Sequence, residues 1–248
     1  MKLRALLVVT MCFFAANTAF AQSETYDDTH LFQTFFEDAS VNRNTYLQPF
    51  FSFSDFDGAN ALQFGAQVMF PIDGRFQLGG ELSIINIDTK YGDGETGISD
   101  LKFVGRYSLE TGRTKVALGG YLTLPTGKAE VGQDNVNFGF FGAVRHPLAN
   151  RLALTGTAML EFIETVNRYG KNDHKAGLVL AGGLIYQASS TVDLIGELDI
   201  KTAGDRSMFS AGVDYSTGGG RLRGGLGLGL DDGAPDIMLF VGYLISFN

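Results

Sequence analysis

Charged and polar side chains able to guide a solute are spread through this chain at every second position rather than gathered into one motif. Asp193, Glu197, Asp199 and Lys201 alternate with Leu194, Leu198 and Ile200, and the same rhythm places Lys102 and Arg106 between Leu101, Phe103 and Tyr107. Glu81, Asp100, Tyr121, Arg145, Glu161, Arg221 and Arg223 hold equivalent positions in their own segments. Side chains two residues apart share a strand face, so each segment has a charged face and an apolar one. Fixed charges of both signs on one face fit either a polar pathway that selects its solute or an internal ion-pair lattice. Both readings stay open at this level.

Catalytic, metal and nucleotide chemistry have much weaker support. There are three histidines, His30, His146 and His174, and none has a serine at close motif spacing. A triad can be assembled across strands, for example His174 with Asp173 and Glu164, because triads are spatial rather than sequential. The acidic groups of Asp93-Gly94-Glu95, Asp134-Asn135 and Asp231-Asp232-Gly233 lack the carboxylate spacing of a calcium loop and read as turns. The Gly224–Gly229 repeat alternates as a strand and no helix follows it, so it is not a dinucleotide fingerprint. The lone cysteine, Cys12, lies in the leader. No catalytic residue, metal or cofactor is expected, and a net charge of −8 without a basic cluster argues against nucleic acid.

The elements that position these faces follow from the chain ends and the spacing. Lys2 and Arg4, the apolar run from Ala5 to Ala16 and the triplet Ala19-Phe20-Ala21 make residues 1–21 a secretory signal peptide. No apolar run of about 18 residues follows, so helical membrane spans are excluded. Instead about twelve alternating segments recur between residues 46 and 247, most of them about ten to twelve residues long, the length a tilted strand needs to cross a bilayer. Their apolar faces read, for instance, Leu62, Phe64, Ala66, Val68 and Phe70.

The connections alternate in length as well, except that two on the long side, Asp55 to Gly58 and the one near Gly204, are short. Pro71 to Arg75, Glu110 to Thr114, Pro147 to Asn150, Ala188 to Thr191 and Thr217 to Gly220 are tight, whereas Thr89 to Gly97, Gly127 to Asn135 and Glu164 to His174 are longer and polar. Phe70, Phe76, Tyr107, Tyr186, Tyr215, Tyr243 and Phe247 gather on the apolar face beside the tight turns, as an interfacial belt would. A soluble sandwich gives no reason for either pattern.

The expected fold is all-β: a transmembrane antiparallel up-and-down β-barrel of about twelve strands over residues 45–248, with periplasmic N- and C-termini. It implies export to a bacterial outer membrane, with the lipid bilayer and lipopolysaccharide as surroundings. Residues 22–44 form an N-terminal periplasmic segment. Leu31, Phe32, Phe35 and Phe36 have helical spacing there, which fits either a short amphipathic helix plugging the mouth or a disordered leader. Pro49 makes the start of the first strand uncertain, since it cannot donate to a ladder.

The last residues, Gly242-Tyr243-Leu244-Ile245-Ser246-Phe247, resemble the C-terminal signal of outer-membrane proteins: Gly242, an apolar Ile245 three residues on and an aromatic Phe247 five residues on. Phe240 and Asn248 depart from that pattern. The resemblance implies the barrel-assembly machinery as a partner, binding this strand by β-augmentation. Gly97-Ile98-Ser99-Asp100-Leu101 and Gly119-Gly120-Tyr121-Leu122-Thr123-Leu124-Pro125-Thr126-Gly127-Lys128 resemble segments of barrels in the phenol-degradation meta-pathway, or outer-membrane transporter, family. That resemblance implies passive passage of a small-molecule solute, aromatic or hydrophobic, with Tyr121, Phe141, Met159 and Phe240 in the lumen. A structural or adhesive barrel acting through its loops is the alternative, and a membrane-embedded hydrolase the third.

Overall fold

Period-2 alternation becomes antiparallel strands throughout. In the computed structural model, which describes residues 29–40, 44–90, 92–111, 113–128, 131–132, 135–166 and 172–247, these are β1 (Thr45–Phe56), β2 (Ala59–Pro71), β3 (Phe76–Thr89), β4 (Glu95–Ile98), β5 (Leu101–Thr111), β6 (Thr114–Leu124), β7 (Asn137–Ala149), β8 (Leu152–Val166), β9 (Asn172–Gln187), β10 (Val192–Lys201), β11 (Arg206–Thr217), β12 (Gly220–Gly229) and β13 (Ile237–Phe247). The expected signal peptide, with Cys12, lies outside the described residues.

Apart from β4 and β5, each strand pairs with its sequence neighbours, and β1 pairs with both β2 and β13, so the sheet closes on itself. β4 and β5 both pair with β3: Ile84 faces Ile98 and Glu81 faces Lys102, so three steps on β3 meet four on the other side. The extra residue at Ser99–Asp100 is a bulge within a single wall strand. The wall therefore has twelve strands and no free edge.

Closure makes one set of side chains face out and the other in. Phe64, Leu118, Phe140, Leu160, Leu198, Leu226 and Leu239 lie on the exposed exterior, as the alternation required. An exterior this uniformly apolar is stable in hydrocarbon and not in water. Pro49 sits where the ladder between β1 and β13 lapses: the pairs resume at Leu47 with Ile245 and at Phe50 with Gly242. Its missing N–H is harmless at that point.

The interior is filled by the chain's own N-terminal segment. Residues 29–40 run as irregular backbone inside the barrel, and no helix occurs among the described residues. Both apolar clusters of the interior mix this segment with the wall. Phe35, Phe36 and Ala39 pack with Tyr46, Met69, Val104, Phe141 and Met159, and Leu31 and Phe32 pack with Phe50, Ile185, Ile195 and Phe240. Glycines on the inner face make room for them. A Cβ at Gly183 would come within 2.7 Å of the Leu31 side chain, and one at Gly212 within 2.6 Å of the Phe32 ring.

The helical spacing of Leu31, Phe32, Phe35 and Phe36 thus does not produce a helix. Its four apolar side chains diverge into two clusters instead of lining one stripe. A helix would also keep its N–H and C=O groups for itself, and here the wall uses them. Because Leu118 lies in the middle of β6 on the outer face, Leu118→Arg is expected to destabilise the barrel in lipid vesicles by about 2–4 kcal/mol. Urea unfolding in vesicles measures this; a change well under 1 kcal/mol would place Leu118 outside hydrocarbon.

Candidate functional site

The site is the contact between residues 29–40 and the inner wall. It begins with three arginines, Arg106, Arg145 and Arg223, that are fully buried. A guanidinium keeps its proton in any protein environment, so each must find acceptors. Arg223 donates to the backbone carbonyls of His30 and of Leu31, the latter at 3.1 Å, and to Gln48 Oε1 at 2.7 Å. Arg106 donates through Nη1 to the carbonyls of Asp38 at 2.9 Å and Phe36 at 3.3 Å, while its Nε donates to Gln77 at 2.6 Å. Arg145 donates to the carbonyl of Thr29 at 2.8 Å and forms a buried ion pair with Asp38. Thr155 donates to the other carboxylate oxygen of Asp38 at 3.1 Å, and Thr157 donates to the Glu37 carbonyl at 2.7 Å.

The wall also supplies an acceptor. Glu197 on β10 takes the N–H groups of Phe32, Gln33 and Thr34 at 2.9, 2.8 and 3.0 Å and the Thr34 hydroxyl at 2.7 Å. Three successive amides pointing at one carboxylate form an anion-binding concavity of the backbone. Thr29 donates to Asp193 at 2.6 Å, and Lys102 donates to Glu37 at 2.6 Å. The backbone of the segment is thus held from both sides by wall side chains.

The remaining sequence-predicted residues occupy five places. Arg221 bridges Asp193 and Asp214 at 2.6 and 2.7 Å beside the segment's entry. Glu81 ends a chain of amides, accepting from Gln67 at 2.8 Å, which accepts from Gln48 at 3.0 Å. Nearer the long-loop end, Tyr121 donates to Glu161 at 3.4 Å, the Lys102 ammonium stands 4.9 Å from the Tyr121 ring, and Lys201 lies 4.0 Å from Asp199. Asp100, in the bulge, accepts the Gly127 N–H at 2.9 Å. The two family-like segments meet there: Lys128 N–H donates to Ile98 O at 3.0 Å, and a Cβ on Gly127 would strike Ile98 O at 2.5 Å. Gly242 and Ile245 lie on β13, where they pair with Phe50 and Leu47, and Phe247 pairs with Thr45 where the barrel closes.

Two groups of residues here were missed by sequence reasoning. Glu37 and Asp38 are the segment's own charged contacts, and Gln48, Gln77, Thr155 and Thr157 are neutral wall partners that alternation alone does not separate from other polar positions. Of the hydrolase arrangement, Glu164 of β8 and His174 of β9 are directly paired across the ladder. Glu164 accepts from Asn135 at 2.8 Å, His146 is bonded to Thr114 at 2.8 Å, His174 is exposed, and the Asp173 side chain lies outside the described residues. Among the described residues no group of three or more His, Cys, Asp or Glu could hold a metal ion.

No family model and no curated protein sequence matches the chain. Solved structures do. An outer membrane channel from Pseudomonas putida F1 superposes with a TM-score of 0.64 at 15% identity, over 82% of this chain and 95% of that one. The KdgM porin in complex with disordered oligogalacturonate gives 0.58 at 13% identity over 81% and 99%. The NanC porin gives 0.56 at 10% identity over 82% and 99%. At these identities the likeness is one of fold: a closed barrel of the kind found in outer membranes.

Removing the Glu197 carboxylate orphans three amides at once, two of them buried. Each hydrogen bond to a charged group contributes about 1.5–3 kcal/mol, without simple additivity. Glu197→Ala is therefore expected to keep the barrel folded while raising protease cleavage within residues 29–40 at least about tenfold. Unchanged cleavage would contradict the anchoring role. The His30 imidazole is held well below 6.5, first by burial and then by Arg106, Arg223, Arg145 and Arg221. Withdrawn into water, it would bind a proton that the inserted ring refuses. Insertion is thus fully favoured above about pH 6.5 and loses about 1.4 kcal/mol per unit below it. Cleavage of the segment should rise between pH 7 and 5.5, and His30→Gln should flatten that rise.

Proposed function

We propose that this chain is an outer-membrane channel for passive passage of small solutes, closed in the state described by its own residues 29–40. The observation that carries this reading is the manner of closure. The segment fills the lumen without belonging to the wall, and charged wall side chains hold it through hydrogen bonds that water or a solute can replace. A core meant to stay shut is served better by apolar packing, because burying guanidiniums and carboxylates costs solvation that their pairing barely recovers.

On this reading the ends carrying Thr45, Phe247 and the tight turns face the periplasm, after a signal peptide has directed export. The last strand, with Gly242, Ile245 and Phe247, is the segment that barrel-assembly machinery engages, and the longer loops meet lipopolysaccharide. Glu81, Lys102, Arg106, Arg145, Glu161, Glu197, Arg221 and Arg223 line the pathway once it opens. Tyr121, Phe141, Met159 and Phe240, also on the inner face, suit a solute with an aromatic or hydrophobic part. The filled lumen favours one other reading, a stiffened barrel that never conducts.

Planar-bilayer recording separates the two. The full chain is expected to show a mostly closed pore with brief openings, and a variant lacking residues 29–40 a persistent conductance. Silence from both, with the variant folded, would overturn the channel reading in favour of the stiffened barrel.

A further inference from the structure

The segment's one fully buried wall-paired carboxylate has the surroundings of a bound ligand. Asp38 is inaccessible to solvent. One of its oxygens is ion-paired with Arg145 of β7, and the other accepts the Thr155 hydroxyl of β8 at 3.1 Å. Arg106 of β5 donates to the Asp38 backbone carbonyl at 2.9 Å and is itself aimed by Gln77 at 2.6 Å. Three separate wall strands therefore converge donors on a single acidic residue that is not part of the wall. The Phe35 and Phe36 rings precede it in the chain and lie in the same apolar cluster as Phe141 and Met159 of β7 and β8.

We propose that Arg145, Thr155 and Arg106 form a carboxylate-binding site of the open channel, that Asp38 occupies it as an internal stand-in, and that the solutes are small organic carboxylates. The proposal rests on the channel reading with a movable segment. Its chemistry is a direct exchange. A carboxylate presents two oxygens to a guanidinium and a hydroxyl in the way Asp38 does, and an apolar group beside it meets the surface that Phe36 covers. A solute of this type both replaces the segment's charge on Arg145 and leaves no buried cation unpaired, so its binding favours the withdrawn state by its differential affinity for it. A neutral solute leaves Arg145 to water, and a cationic one is repelled by it.

Other inner-wall charges are arranged differently. Glu197 binds three backbone amides and the Thr34 hydroxyl, and no charged side chain of the segment. Arg221 is paired within the wall to Asp193 and Asp214. Arg223 is also paired with Asp214, at 3.2 Å, and takes carbonyl oxygens from the segment. The segment's other carboxylate, Glu37, gives one oxygen to Lys102 at 2.6 Å, and only at Arg145 and Thr155 does the wall take both oxygens of a segment carboxylate among the hydrogen bonds described.

The test uses proteoliposome uptake of benzoate, benzyl alcohol and benzylamine, three probes that share a ring and differ in charge. In the variant lacking residues 29–40, benzoate should enter at least about tenfold faster than benzylammonium. Adding Arg145→Gln should lower benzoate entry about tenfold and leave benzyl alcohol unchanged. Equal entry of benzoate and benzylammonium, or a benzoate rate indifferent to Arg145→Gln, overturns the carboxylate site while leaving a channel. Entry of none of the three overturns the channel reading itself.

A second variant covers failure of the deletion to fold. Asp38→Gly in the full chain leaves a hole the size of a carboxylate. Acetate, and not acetamide at equal ionic strength, should raise its thermal midpoint, and Arg145→Gln should abolish the rise. Equal effects of acetate and acetamide contradict the site.

Discussion

A guanidinium cannot be neutralised, and three of them are buried inside this barrel. Arg106, Arg145 and Arg223 project from three strands into a space without room for bulk water. The acceptors that make this tolerable come largely from a stretch of chain that precedes the wall: the carbonyls of Thr29, His30, Leu31, Phe36 and Asp38, and the Asp38 carboxylate. Much else follows from this constraint. The segment is irregular because its carbonyls are spoken for by arginines and three of its amides by Glu197. The inner face carries glycines at Gly183 and Gly212 because irregular backbone brings Leu31 and Phe32 close to the wall.

On the channel reading, the same constraint defines two states for the lumen. With the segment inserted, wall charges are satisfied by protein. With it withdrawn, they are satisfied by water or solute, and the four buried apolar side chains of the segment lose about 1.5–3 kcal/mol each. Against that, ordering irregular chain costs about 1–2 kcal/mol per residue. Apolar packing alone therefore does not hold the segment in place, and the polar contacts decide. A gate balanced on hydrogen bonds with charged groups responds to the charge and pairing of single residues.

The wall was legible because its determinants are local. Leu62, Phe64, Ala66, Val68 and Phe70 face out for the same reason that Gln63, Gln67 and Met69 face in, and a two-residue period needs no knowledge of distant chain. The tight turns and the closing strand with Phe247 are equally short-range. The Ser99–Asp100 bulge shifts the face by one residue, yet the reading from Leu101 onward carries the right parity because the shift precedes it. Residues 29–40 were legible only as apolar and acidic. Glu197 lies 163 to 165 positions from the amides it accepts, and Arg145 lies 107 from Asp38. Spacing within twelve residues carries no trace of partners at that distance, so the i, i+4 pattern left open a helix or a disordered leader, and the wall's demand for backbone groups makes it neither.

Amide hydrogen exchange of the folded full chain in a lipid nanodisc tests the central claim most directly, at the N–H groups of Phe32, Gln33 and Thr34. If Glu197 holds them inside the lumen, they exchange far more slowly than in a free peptide of the same sequence, and faster than amides in the middle of β10, because the segment withdraws without unfolding the wall. Exchange at the free-peptide rate would contradict insertion, and exchange as slow as β10 would contradict a segment that moves independently of the barrel.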